Sequence, residues 1–167
     1  FPLSAEAAKK GLLEPIQKKG KSFMHAQTFA HHPVGCATAL ATLDYLRGHD
    51  LVARCAQVGK ELKRRLEGLL DHRHVGDVRG KGLLIGVEFV RDKKTKAPFP
   101  RELKYAEAFV AQAMARGLIL WPNIGHADGT NGDLVMVAPP FVIKENEIAL
   151  IHKKIKATLA DLERKFR

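Results

Sequence analysis

The apolar residues of this chain change period sharply after residue 72, and that change restricts the fold to one that mixes helices with a sheet. From Leu51 the positions Leu51, Cys55, Val58, Leu62, Leu66 and Leu69 step by three and four residues, which sets them on one side of a long helix whose other side carries Lys, Arg and Glu. Past His72-Arg73-His74, the stretch VGDVRGKGLLIGVEFV runs at a period of two. Val75–Val78 and Leu83–Val90, the latter with Leu83, Ile85, Val87 and Phe89 on one face, predict two adjacent strands joined through glycines. Neither pattern fits the other element, because half of its apolar residues would then face water.

The remaining signals repeat this alternation. Leu103, Ala106, Val110 and Ala113 predict a helix ended at Gly117, and Leu118–Trp121 a short strand. PNIGHADGTNGD reads as a long loop, and Leu134–Ala138 as a last strand stopped by Pro139-Pro140. A final helix opens at Lys144-Glu145-Asn146-Glu147 and is carried by Ile148, Ile151, Ile155, Leu159, Leu162 and Phe166. Its acidic residues sit in the first turn and Arg164, Lys165 and Arg167 in the last, as the helix dipole favours. From Leu51 onward the order predicts a small sheet covered by helices, an α+β or α/β sandwich. Glu88, inside an apolar strand, is expected to face solvent or pair with a neighbouring base.

Ahead of this part, residues 5–18 predict a short helix interrupted at Gly11 and Pro15. The stretch QTFAHHPVGCATALATLDYL, Gln27–Leu46, carries the strongest local signal. Pro33 suits the first position of a helix, where its missing N–H would have had no partner anyway. Cys36, Leu40, Leu43 and Leu46 then recur at helical spacing, while Ala37, Ala39 and Ala41 keep the neighbouring faces small. Thr28 stands just before this helix start, where free N–H groups and the dipole favour an anion, and is a candidate phosphate contact. The competing reading is a threonine that closes its own turn.

Composition excludes several classes. With 46% hydrophobic and 28% charged residues the chain is ordinary globular material. No window approaches the roughly 18 uninterrupted apolar residues of a membrane span, and FPLSAEAAKK lacks the basic-then-apolar order of a signal peptide. The opening on Phe-Pro-Leu without an initiator Met reads as a piece of a longer protein. Cys36 and Cys55, both on apolar helix faces, read as reduced core residues of a cytoplasmic protein. The net charge of +10 raises a nucleic-acid-binding module as an alternative function. The basic residues come as scattered pairs such as Lys9-Lys10, Arg64-Arg65 and Lys153-Lys154, which solvated faces explain.

TFAHHPVGCATALATLDYL, DVRGKGLLIGVEFV and GDLVMVAPPFVIKENEI, in this order, resemble the C-terminal part of class III (omega-type) aminotransferases, the pyridoxal-phosphate enzymes of fold type I, across essentially the whole chain. The resemblance implies an α/β fold in which residues 1–46 end the large cofactor domain, with its interface loop and connecting helix, and residues 47–167 form the small α+β domain. It implies pyridoxal 5'-phosphate as cofactor, an amine or amino acid and a keto acid or aldehyde as substrates, and a homodimer sharing the cofactor site, with no nucleic-acid or membrane partner. Thr28 occupies the place of the threonine in T-[FY]-x-x-H-P, which in that family reaches the cofactor phosphate of the other subunit, and Gln27 matches a position whose backbone lies near that phosphate. FPLSA resembles the segment that follows the Schiff-base lysine. The resemblance thereby puts that lysine, the aspartate that pairs with the pyridine nitrogen and the ring-stacking aromatic outside this chain, leaving no catalytic residue in it. The loop Gly125–Gly132 would border the active-site mouth. Arg79, in a shared motif, is expected to hold its turn or pair with a carboxylate. His25, His31 and His32, without a cysteine or carboxylate at ligand spacing, do not make a metal site. A non-catalytic association domain is a further alternative.

Overall fold

The computed structural model describes residues 2–24 and 26–166, and the chain divides into two compact units after Asp50. In the first, a 3-10 turn at Lys10–Leu12 leads into helix α1, Glu14–Lys18. Pro15 lies in the first turn of α1, so it opens a helix that the sequence had it interrupt. A proline there breaks no intrahelical bond. Helix α2 spans Pro33–Gly48, begins at the expected proline and has His32 at its N-cap. The hydroxyls of Thr38 and Thr42 donate to the carbonyls of Val34 and Thr38 at 2.7 and 2.8 Å, each one turn back.

Only Gly35 of α2 is buried. Leu40 is 62% and Leu43 45% exposed, and Cys36 is an exposed free thiol, which corrects its reading as a core cysteine. Periodicity reports which residues share a face, and burial needs something lying against that face.

The second unit opens with helix α3, Leu51–Glu67, extended by a 3-10 turn, Gly68–Asp71. Strands β1 (Val75–Lys81) and β2 (Leu84–Phe89) follow, then helix α4 (Tyr105–Ala115), strands β3 (Trp121–Ile124) and β4 (Asp133–Val137), and helix α5 (Glu145–Lys165). The sheet runs β1-β2-β4-β3 with every neighbouring pair antiparallel. In its register Val87 lies between Val78 and Val135, and Ile85 is paired with Val137. These residues are buried with Phe89 against Leu62 and Leu66 of α3, Phe109 and Ala113 of α4, and Ile148, Ile155 and Leu159 of α5. Alternation turns Arg79, Gly86, Met136 and Trp121, which lie side by side across the four strands, to the opposite face. No helix among the described residues is long and apolar enough to cross a membrane.

The hairpin turn is tighter than expected. Gly80 and Lys81 still belong to β1, and Lys81 pairs with Leu84, so only Gly82-Leu83 remains to turn the chain. Gly82 is left-handed at φ +57°, and a Cβ on Gly59 of α3 would lie 2.6 Å from its Cα. Helix and turn therefore meet backbone to backbone.

Two elements differ from expectation. Leu103 falls in a 3-10 turn, Arg101–Leu103, and α4 starts only at Tyr105, after Lys104 in the left-handed region. The start is fixed from a distance: the Asp133 carboxylate accepts the N–H of Ala106 at 3.0 Å, across 27 residues of sequence. The third strand begins at Trp121 instead of spanning Leu118–Trp121 and runs through Pro122 into the expected loop. Leu120 is buried as packing, and β3 is an edge strand, where a proline costs no ladder bond on its open side.

Candidate functional site

Backbone hydrogen bonds close the turn before α2. Gln27 C=O accepts the N–H of Ala30 at 2.9 Å, Phe29 C=O accepts that of His32 at 3.1 Å, and His31 adopts φ +60° to lead into Pro33. Thr28 and Gln27 are both exposed. Among the described residues neither side chain has a hydrogen-bond partner, and neither backbone N–H is donated. Thr28 thus does not close its own turn with its hydroxyl, and an uncommitted hydroxyl with free N–H groups beside it suits an anion. His25 lies outside the described residues. No group of three or more His, Cys, Asp or Glu among the described residues could hold a metal.

The loop Gly125–Gly132 belongs to the second unit and is bonded heavily to itself. The N–H groups of Gly125, Ala127 and Gly129 donate to Gly132, Asn131 and Gly125 at 2.9, 3.0 and 2.8 Å. The Asp128 carboxylate accepts the N–H groups of Thr130 and Asn131 at 2.9 and 2.7 Å and the Asn131 side-chain amide at 2.8 Å. These donors, led by that amide, hold the Asp128 carboxyl below the usual carboxylate range.

Beside the loop lies a chain of charges on the outer face of the sheet. Arg79 donates to Asp77 at 2.9 Å and to Glu88, and Glu88 stands 3.7 Å from Nε2 of His126. The sequence expected Arg79 to hold its turn or pair with a carboxylate and Glu88 to face solvent or pair with a base, and here they pair with one another. Further along, Arg101 donates to Glu107 and lies 3.7 Å from Asp133, whose side chain is 2% exposed. The roles of Asp133 and His126 were not legible in the sequence. An aspartate opening an apolar strand was the one available hint for Asp133.

Several lysines are bound to backbone carbonyls, Lys93 to Leu70 and His72, Lys96 to Gly76 and Lys154 to Gly117.

Comparison with known proteins agrees with this architecture. The pattern of the family Aminotransferase class-III matches residues 1–159. The uncharacterized aminotransferase YodT of Bacillus subtilis is 35% identical over 98% of this chain, which spans 37% of YodT. The crystal structure of a Bacillus anthracis aminotransferase superposes with a TM-score of 0.77 at 36% identity, covering 92% of this chain and 34% of that one. An amine transaminase from an uncultivated Pseudomonas species, solved in its PLP-bound form, matches with a TM-score of 0.73 at 31% identity, covering 83% of this chain and 30% of its own. The chain belongs to the class III aminotransferases, and its mixed helix and sheet architecture matches part of a fold type I transaminase. It spans about a third of the length of the relatives it matches.

Proposed function

We propose that this chain is the C-terminal third of a cytoplasmic, homodimeric transaminase that uses pyridoxal 5'-phosphate to move an amino group between an amine or amino acid and a keto acid or aldehyde. Family membership over residues 1–159 carries this reading. Residues 1–46 would finish the large domain and residues 47–167 form the small one. When bound, pyridoxal phosphate supplies the electron sink that amino transfer requires. Thr28 and Gln27 fit its phosphate because their donors are exposed and unspent. In this reading Thr28 donates its hydroxyl and Gln27 its backbone N–H to the phosphate held by the partner subunit, while the loop Gly125–Gly132 borders the substrate entrance. The lysine that anchors the cofactor lies outside these residues.

Nucleic acid is not the partner in this reading. Arg64, Arg79, Arg101, Arg116 and Arg164 are each paired with a carboxylate, and Arg54 donates to the carbonyls of Phe141 and Ile143. These six arginines are committed within the fold.

Two measurements test the proposal. In the full-length protein Thr28→Ala should weaken cofactor affinity about tenfold or more, the loss of one hydrogen bond to a charged group; an unchanged affinity refutes the phosphate contact. The 167-residue chain, incubated with pyridoxal phosphate and reduced with borohydride, should yield no stoichiometric lysine adduct. Lysine-specific trapping at one equivalent would overturn the placement of the anchoring lysine.

A further inference from the structure

We infer that Glu88 and His126 form a positioning pair that sets the pose of the glycine-rich loop over the outer face of the sheet, and through it the affinity for the amine substrate. The substrate half of this inference rests on the transaminase reading above; the pairing does not.

The loop's internal bonds, including the three accepted by Asp128, make it a small body that holds its own shape. Such a body keeps its conformation when it tilts, so contacts outside the loop decide where it stands. Two side-chain tethers are seen among the described residues. On one side Asn131 Oδ1 accepts the N–H of Arg101 at 3.1 Å. On the other, His126 Nε2 lies 3.7 Å from Glu88 Oε1, longer than a direct hydrogen bond and an ion pair when the imidazole is protonated.

Glu88 is well placed for this. Its second oxygen takes the Arg79 guanidinium, which is also bonded to Asp77, so the carboxylate that faces the loop is braced across β1 and β2. Both partners are partly sheltered, with side chains 21% and 25% exposed, which limits screening by solvent. Asp128, the one acid of the loop, is spent on its own turn. Gly132 brings the imidazole into range. At φ +110° its Cα lets the loop lie close, and a Cβ there would stand 3.2 Å from Cε1 of His126 and 2.7 Å from the N of Ala127. A loop bonded this fully to itself, then tied at two points to the sheet and to the entry of α4, is organised to present its tip in one place. Neither Glu88 nor His126 touches the reacting atoms in this account.

The test uses the full-length protein with Glu88→Gln, which keeps side-chain shape, His126→Leu, which removes the ring nitrogens, and the double variant; all leave Arg79 bonded to Asp77. Two readouts are taken: hydrogen exchange at the Arg101 amide, which is bonded to the loop through Asn131, and KM and kcat for an amine donor. Each single variant should speed Arg101 exchange about threefold or more while α5 keeps its protection, with the double variant no faster than either. KM should rise about three- to tenfold with kcat within about twofold and an unchanged cofactor absorbance. Unchanged exchange, or effects that multiply in the double variant, overturns the pairing. Coupled exchange with an unchanged KM overturns the substrate role. A wild-type protein without transaminase activity would refute the transaminase reading instead, while the exchange measurement still decides the pair.

Discussion

Gly59→Ala sets two physical effects against each other, and the structure decides the winner. In the interior of a long helix, replacing glycine with alanine ordinarily stabilises by about 1 kcal/mol, because glycine gives up more backbone freedom on folding. At Gly59 the added Cβ would lie 2.6 Å from the Cα of Gly82. The atom it meets is backbone, so no rotamer change relieves the overlap, and the hairpin turn or α3 has to move by most of an ångström. The turn is not free to move. Leu83 is 3% exposed within the core, and the Sγ of Cys55 would stand 2.8 Å from a Cβ on Gly82. Overpacking of this kind costs about 1–3 kcal/mol, and partial exposure of Leu83 adds up to about 2 kcal/mol. The expected net effect, after the helix gain, is a destabilisation of about 0–4 kcal/mol, centred near about 2 kcal/mol. Urea unfolding followed by circular dichroism measures it, with Gly48→Ala as control: that glycine also lies in a helix, α2, and its Cβ would meet nothing within 4 Å. The control should be neutral or stabilising. A Gly59→Ala protein more stable than its parent by the full helix gain of about 1 kcal/mol, at an unchanged m-value, would refute the close approach of α3 to the turn.

Two further perturbations probe the core. Asp133→Ala removes the remote cap of α4 and leaves the Ala106 N–H without an acceptor, which should cost about 2–4 kcal/mol, whereas Asp133→Asn keeps an acceptor and should cost about half as much; equal losses in urea unfolding would sink the capping role. Tyr105 is buried with a hydroxyl that has no hydrogen-bond partner among the described residues, and burial, followed by the nearby Glu163 and Asp133 charges, pushes its phenol above the ordinary value. The unfolded chain then sheds this proton first, so stability holds below about pH 10 and falls above it. Tyr105→Phe should be neutral or mildly stabilising near pH 7 and should flatten the alkaline loss; an alkaline slope identical to that of the parent contradicts the assignment.

Where sequence and structure part, the causes can be named. Helices α2, α3 and α5 and the β1-β2 hairpin follow from periods that a single stretch carries within itself, so they were legible. The start of α4 was not, because its capping group lies on β4, and a local reading places the helix at Leu103 on spacing alone. Strand β3 shifted toward Ile124 because pairing with β4 sets register, and an edge position tolerates Pro122. Cys36 looked like core because its spacing matched Leu40 and Leu43, yet all three are exposed. In the candidate site, Thr28 could be singled out from its place ahead of Pro33, but the freedom of its hydroxyl could not.

By itself, then, the sequence determined what depends on neighbours along the chain: element types, the apolar faces of the sheet and its helices, and the motifs that mark the family. Only the tertiary structure decided which distant groups meet. It brought Asp133 to the head of α4, Gly59 to Gly82, and Glu88 to both Arg79 and His126. The reason is physical: hydrogen bonds, contact distances and ion pairs depend on spatial separation, and for residues far apart in sequence that separation exists only once the sheet has closed against its helices.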